Sequence, residues 1–176
     1  MYDYIVIGGG IIGVSTALSL ITKHPDKRFL LLEKENSFGE HQTGHNSGVI
    51  HAGVYYQPGS LKAKFCKEGL KETINFCSTH QIPYKQCGKL LVATSNEELS
   101  GMHDLYQRCK ENEIEAEILD QQQLLKTEPN VQGVGAILVK SSGIVSYRIV
   151  AEKMAEQYKI FRLKVGEGDS YTIDHS

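Results

Sequence analysis

The stretch DYIVIGGGIIGVSTALSLITK, residues 3–23, constrains the fold of this chain more than any other. A short run rich in β-branched residues stops at three glycines, and a helix-period run with small residues comes next. This predicts a buried strand over 3–7, a tight turn, and a helix over 11–23 that His24-Pro25-Asp26 ends. A second apolar run, RFLLLE at 28–33, predicts another buried strand. Together they read as a βαβ unit whose two strands lie parallel.

Within that unit Gly8, Gly10 and Gly13 spell GxGxxG between strand and helix. Gly8 permits the tight turn, Gly10 lets backbone approach a pyrophosphate, and Gly13 lets helix and strand pack closely. The helix N-terminus at Ile11 and Ile12 then offers unpaired N–H groups and a partial positive charge to phosphates. Glu33, next to Lys34, ends the second strand about twenty residues past Gly13. A carboxylate there accepts hydrogen bonds from ribose hydroxyls and disfavours a 2′-phosphate, which argues against NADP. An ordinary glycine-rich turn is the alternative, but strand, helix, second strand and acid in this order favour a dinucleotide site. The fingerprint does not separate NAD from FAD.

Composition sets the remaining bounds. With 176 residues, 40% hydrophobic and 23% charged, the chain has the composition of a soluble globular domain or parts of two. A net charge of −2, with both signs mixed and no polybasic tract, predicts neither a nucleic-acid partner nor an anionic membrane surface. Cys66, Cys77, Cys87 and Cys109 form no CxxC pair. Cys66 and Cys77 fall on a helical stripe with Leu70 and Ile74, and reduced core thiols are the expectation. Asp3 precedes the apolar start, and the first cation is Lys23, so no signal peptide is expected and the cytoplasm is the default.

Further along, helix periodicity runs from Leu61 to about His80 and over 97–112, where Leu99, Met102, Tyr106 and Cys109 share a face. Strands are expected at Lys89–Thr94, Ala116–Leu119 and Ala136–Val139. Asp120 is placed to cap a short helix over 121–126, and Arg148–Tyr158 reads as a helix. Lys159–Val165 reads as a last strand. The order is α/β at the start and mixed α+β in the middle.

A long loop over 34–60 separates the βαβ unit from the helix that begins at Leu61, and its centre is HQTGHNSGVIHAGVYY. Loops of this length are usually functional. This one leaves the carboxyl end of a strand, where open α/β sheets bind ligands. Backbone at Thr43-Gly44 and Ser47-Gly48 carries small side chains that let it approach a flavin or its pyrophosphate.

The segments GGGIIG, LLEKE, HQTGHNSGVIHAGVYYQPGSLKAKFC, CGKLLVAT and SSGIVSYR resemble the L-2-hydroxyglutarate dehydrogenase/oxidase family, which is similar to D-amino-acid oxidase. The resemblance covers roughly residues 1–158, and the loop is its most specific part. It implies FAD as cofactor and a Rossmann-like FAD-binding βαβ unit with an inserted α+β substrate-binding segment. It implies oxidation of an L-2-hydroxy acid, most specifically L-2-hydroxyglutarate to 2-oxoglutarate. Electrons would pass to a quinone of the respiratory chain or to oxygen, which leaves peripheral docking at an inner membrane open. On this reading residues 1–80 and 144–165 belong to the FAD part, 81–143 to the substrate segment, and 166–176 form a divergent tail, with Lys159–Val165 rejoining the parallel sheet. Family chains run well beyond this one, so the expected fold is incomplete at its C-terminal side. An open sheet edge with self-association and weak FAD affinity is then expected. The alternatives are another flavoenzyme of this superfamily, of amino-acid oxidase or glycerol-3-phosphate dehydrogenase type, and a non-catalytic nucleotide-binding fragment.

The three histidines of the loop separate in role. His41 and His45 are four apart, but Gly44 and Asn46-Ser47-Gly48 disfavour a metal-binding helix, and no cysteine lies nearby, so no metal is expected. His51 is the candidate general base for the substrate hydroxyl, with bracing of the loop or the flavin as the alternative. Thr43, Gly44, His45, Asn46, Ser47 and Gly48 are candidate flavin contacts. For a dicarboxylate substrate, Tyr55, Tyr56, Lys89 and Arg148 are the candidates, against surface or packing roles for each.

Overall fold

The structure is a computed structural model that describes residues 1–164, with side chains through Lys159. It divides into two compact units, Met1–Gly48 with the segment from Ser146 onward, and Val49–Val145.

In the first unit β1 (Tyr4–Ile7) and β2 (Phe29–Leu32) pair in parallel, Tyr4 opposite Phe29 and Ile7 opposite Leu32. The crossover is α1 (Ile11–Lys23), as the spacing of the glycines predicts. The helix α5 (Tyr147–Lys164) returns to pack on α1. Small side chains allow that approach: Ala17 of α1 and Ala151 and Ala155 of α5 are buried with Val14, Ile21, Phe29, Leu31 and Tyr158. Burying each larger aliphatic or aromatic side chain here contributes about 1.5–3 kcal/mol.

Two expectations fail in this unit. The first strand is not buried: Ile5 is 56% and Ile7 82% exposed. Strand side chains alternate, so Val6 faces the α1–α5 core while Ile5 and Ile7 face away, where no described element covers them. Nor do residues 159–164 form a strand that rejoins the sheet; they continue α5. An established helix extends at little cost, one bond per residue, and that outweighs the apolar alternation of this short run. Val165 and the tail over 166–176 lie outside the described residues.

The second unit has two small antiparallel sheets. In one, β7 (Gly135–Val139) lies between β5 (Lys89–Ala93) and β6 (Ala116–Asp120). In the other, β8 (Gly143–Val145) lies between β3 (Val49–Ile50) and β4 (Tyr84–Lys85). The helices are α2 (Leu61–Thr79), α3 (Glu98–Glu111) and α4 (Gln121–Thr127). Met102 and Cys109 of α3 pack on Ile137 and Val139, joined by Leu99 and Tyr106 as the helical stripe requires. Leu124 of α4 packs with Leu119 and Ala136. Asp120 caps α4 in a full capping box with Gln123.

The compact units divide at Gly48, whereas the domain reading has its first boundary at residue 80. Leu70 of α2 packs against the cluster of Met102, Cys109 and Ile137, so α2 groups with the second unit. Of the two stripe cysteines expected in the core, Cys77 is buried and Cys66 half-buried; Cys109 is also buried, Cys87 is exposed, and all four are free thiols.

Candidate functional site

A cavity of about 500 Å³ opens beside the carboxyl ends of β1 and β2, lined by Gly8, Gly10, Glu33, Glu35, His41 and Thr43 among others. Its floor is the glycine turn. Gly8 adopts φ +106°, and a Cβ on Gly13 would lie 1.8 Å from the Gly8 carbonyl oxygen. Gly13 is therefore where α1 and the end of β1 come into contact.

The residue between the fingerprint glycines is equally restricted. A Cβ on Gly9 would lie 2.6 Å from Phe38 and 2.7 Å from Glu33 Oε2. Spacing alone assigns Gly9 no role, yet its backbone N–H donates to Glu33 Oε2 at 2.5 Å. Glu33 Oε1 accepts from the N–H of Glu35 at 3.0 Å. Partial burial pushes the Glu33 carboxyl up, but the N–H groups of Glu35, Gly9 and Lys34 together outweigh it and hold the carboxyl below the usual range. An ionised carboxylate has about four lone-pair sites. Glu33 also lines the cavity, so its carboxylate has acceptor capacity there beyond its backbone donors.

Thr43 comes to the helix N-terminus from the loop. It is buried, and its Oγ1 accepts the Ile11 N–H at 2.9 Å. Gly10, at the N-cap, has no side chain to do this. The N–H groups of Ile12 and Gly13 have no acceptor within the helix and remain for an anion. Lys34 is exposed and pairs with Glu35 at 3.6 Å.

The rest of the loop is held by its own polar groups. Gly44 and His45 donate backbone N–H groups to the His41 carbonyl, at 2.9 and 3.1 Å. His45 Nδ1 approaches the same oxygen at 3.0 Å. Asn46 donates to the carbonyls of Gln42 and Thr43 and accepts from the Gly48 N–H at 2.7 Å. His41 pairs with Glu35 at 2.9 Å on the cavity wall, a contact that spacing alone does not reveal. Gly44, Ser47 and Gly48 complete this turn, with Ser47 exposed. Among the described residues no group of three or more His, Cys, Asp or Glu side chains is placed to hold a metal ion.

In the second unit His51 comes directly after β3 with its side chain exposed. Its carbonyl accepts from Cys66 Sγ at 3.2 Å. The neighbouring Ala52 and Val54 are buried in the core of this unit, which leaves His51 and Tyr55 pointing outward. Arg108 donates to the Tyr55 carbonyl and Asn112 to that of Tyr56. Lys89 Nζ stands 5.0 Å from the centre of the Tyr55 ring, and both line a groove of about 420 Å³. Of the four substrate candidates, the structure thus brings Lys89 and Tyr55 together. Arg148 is in the other unit, where its guanidinium serves Glu40.

The turn and Glu33 form a cradle shaped for a dinucleotide, and a match over nearly the whole described chain shows which kind. The FAD dependent oxidoreductase family matches residues 3–159. The chain belongs to the FAD dependent oxidoreductase family. It is 56% identical over 167 residues to L-2-hydroxyglutarate dehydrogenase of Escherichia coli strain K12, a match covering 95% of this chain and 39% of that protein. It is 43% identical over 159 residues to the mitochondrial L-2-hydroxyglutarate dehydrogenase of Homo sapiens, covering 90% of this chain and 34% of that one. The chain thus spans well under half the length of these curated relatives. Among solved structures it is similar to the L-alpha-glycerophosphate oxidase from Mycoplasma pneumoniae with FAD bound. That likeness has a TM-score of 0.82 at 27% identity and covers 92% of this chain and 43% of the other. Glycine oxidase from Geobacillus kaustophilus shares the fold with a TM-score of 0.80 at 20% identity, covering 91% and 45%.

FAD is the cofactor of this family, and the residues present fit it. Gly8 and Gly10 line the cavity with no side chain, and a Cβ on Gly10 would lie 3.2 Å from Thr43 Oγ1. Glu33 presents a carboxylate to the cavity at the end of the second strand, the place from which the acid of a dinucleotide fingerprint would bind a ribose. No helix among the described residues is long and apolar enough to cross a membrane.

Proposed function

We propose that the protein oxidises an L-2-hydroxy acid with FAD, and that L-2-hydroxyglutarate, yielding 2-oxoglutarate, is its substrate. The carrying observation is the 56% identity to L-2-hydroxyglutarate dehydrogenase across 95% of the chain, a stretch that includes the cradle. Bound FAD supplies the acceptor for the hydride from the substrate carbon. The chain's own residues have three tasks.

Gly8, Gly10, Ile11, Ile12, Gly13, Glu33 and Lys34 surround the ADP portion, which the N–H groups of Ile12 and Gly13 and the Glu33 carboxylate hold. The turn of Thr43, Gly44, His45, Asn46, Ser47 and Gly48 shapes the wall beside it. His51 takes the hydroxyl proton on an imidazole nitrogen as the hydride leaves the carbon bearing that hydroxyl. Its support is an exposed ring on a backbone anchored by Ala52 and Val54. Lys89 and Tyr55, with Tyr56 alongside, supply a cation and hydroxyls for a carboxylate. Residues 81–143 form the substrate segment on this reading. Electrons leave to a quinone of the respiratory chain or to oxygen, in the cytoplasm or docked at the inner membrane face.

The test loads the protein with FAD and monitors flavin bleaching without oxygen. L-2-Hydroxyglutarate should bleach it, while the D-enantiomer, glycerol 3-phosphate and glycine should not. Bleaching by glycerol 3-phosphate or glycine in preference, or none by L-2-hydroxyglutarate in an FAD-loaded sample, would reject the assignment. His51→Ala should lower the bleaching rate about 10²–10⁴-fold, as loss of a general base does. A change under threefold would return His51 to a bracing role.

A further inference from the structure

Arg148 begins α5 far along the chain, yet its guanidinium reaches back to the loop after β2. Its Nη2 donates to Glu40 Oε1 at 2.5 Å and lies 3.4 Å from Ser37 Oγ, while Nε donates to Glu152 at 3.3 Å. The Ser37 hydroxyl also bonds Glu40. Ser37 first, and then Arg148, hold the Glu40 carboxyl below its usual range against desolvation.

The turn that Arg148 grips is the one that builds the cavity wall. Buried Gly39 sits directly on Arg148: a Cβ there would lie 3.6 Å from the arginine Cα and Cγ, and 3.3 Å from Thr43 Cγ2. Gly39 donates its N–H to the Gly9 carbonyl at 3.1 Å. Thr43 then meets the Ile11 N–H. A continuous set of contacts therefore runs from α5 through residues 37–43 to the glycine turn. Its origin is fixed, because Ala151 and Ala155 pack α5 against Val14 and Ala17 of α1.

We propose that Arg148, paired with Glu40, is a positioning residue of the cofactor cradle. It clamps the 37–44 turn so that Thr43 stays on the first N–H of α1 and the wall beside the phosphates keeps its shape. An exposed ion pair would contribute little. This one is half-exposed, at 41% and 33%, and it binds two side chains of a single turn from a fixed backbone. The planar fork of arginine suits that geometry, and lysine matches only its charge. The consequence for FAD rests on the family assignment and the proposed function, while the clamp itself rests on geometry alone.

Two measurements test it, with Arg148→Met and Arg148→Lys in the full chain. The first is amide exchange by NMR. Arg148→Met should speed exchange at Ile11 by about fivefold or more while leaving Ala17, deep in the helix, unchanged. Equal exchange at Ile11, or acceleration along the whole helix, overturns the clamp. The second is the FAD dissociation constant from flavin fluorescence quenching, read beside the melting midpoint without cofactor. Arg148→Met should bind roughly tenfold more weakly at an unchanged midpoint, and Arg148→Lys should recover about half of that loss on a logarithmic scale. Wild-type affinity in Arg148→Met, or a loss that tracks the midpoint, overturns the proposal. If the wild-type chain takes up no FAD, the FAD reading fails, and Ile11 exchange alone decides the clamp.

Discussion

Glu33 Oε2 accepts the backbone N–H of Gly9, so the carboxylate proposed to bind a ribose also ties the end of the second strand to the glycine turn. Its folded pKa is depressed. The stabilisation is therefore fully present above the ordinary carboxylate value of about 4.3 and is lost as pH falls through the lower folded value. Acid titration of the melting midpoint should show this loss in the wild type. In Glu33→Gln that component should be absent, with a lower midpoint at neutral pH. Parallel acid titrations for the two proteins would contradict the assignment.

Gly13→Ala should be among the most damaging single substitutions. Its methyl would overlap the Gly8 carbonyl at 1.8 Å, so strand and helix must separate. A cost of about 3 kcal/mol is expected, at the upper end for overpacking. Denaturant titration measures it directly, and FAD uptake should fall with it.

Thr43→Val keeps the shape of the side chain and removes the acceptor for Ile11. About 1 kcal/mol should be lost, or roughly 2–4 °C in melting midpoint. Thr43→Ser should keep most of it. As a control, Asp120→Ala removes the capping box of α4 in the second unit. It should cost a similar amount, about 0.5–2 kcal/mol, and leave the FAD dissociation constant unchanged.

Ile5 and Ile7 form an apolar patch on the uncovered face of β1. The prediction here is that their burial against a second copy drives self-association of the chain. Sedimentation velocity on Ile5→Lys/Ile7→Lys should show a smaller associated fraction than the wild type at equal concentration. Equal distributions would place any association elsewhere.

The residues behind these predictions differ in how legible they are. The βαβ unit and its glycines are readable because each element is set within a few residues by hydrophobic period and turn chemistry. Asp120 is readable for the same reason, since a capping box spans three residues. Thr43 is legible as a loop residue near the cofactor, but not as the partner of Ile11, because that bond joins distant parts of the chain. Arg148 reads as a substrate candidate from sequence, and nothing local marks Glu40 as its partner. The strands β3, β4 and β8 are two or three residues long and exist only through their pairing with one another, so no periodic signal precedes them. Gly9 resembles a variable position of the fingerprint until Phe38 and Glu33 are seen against it.

The packing of α1 on α5 also sets an order of events during synthesis. The core of the first unit needs Ala151, Ala155 and Tyr158, which leave the ribosome only after all of Val49–Val145 has emerged. That intervening stretch is continuous in sequence and has its own core, so it can close first as a folding unit. The glycine turn, although it precedes that stretch in sequence, would then gain its helical support after it. A chain that stops before residue 147 would carry the whole fingerprint yet lack the helix that packs on α1 and the arginine that holds Glu40.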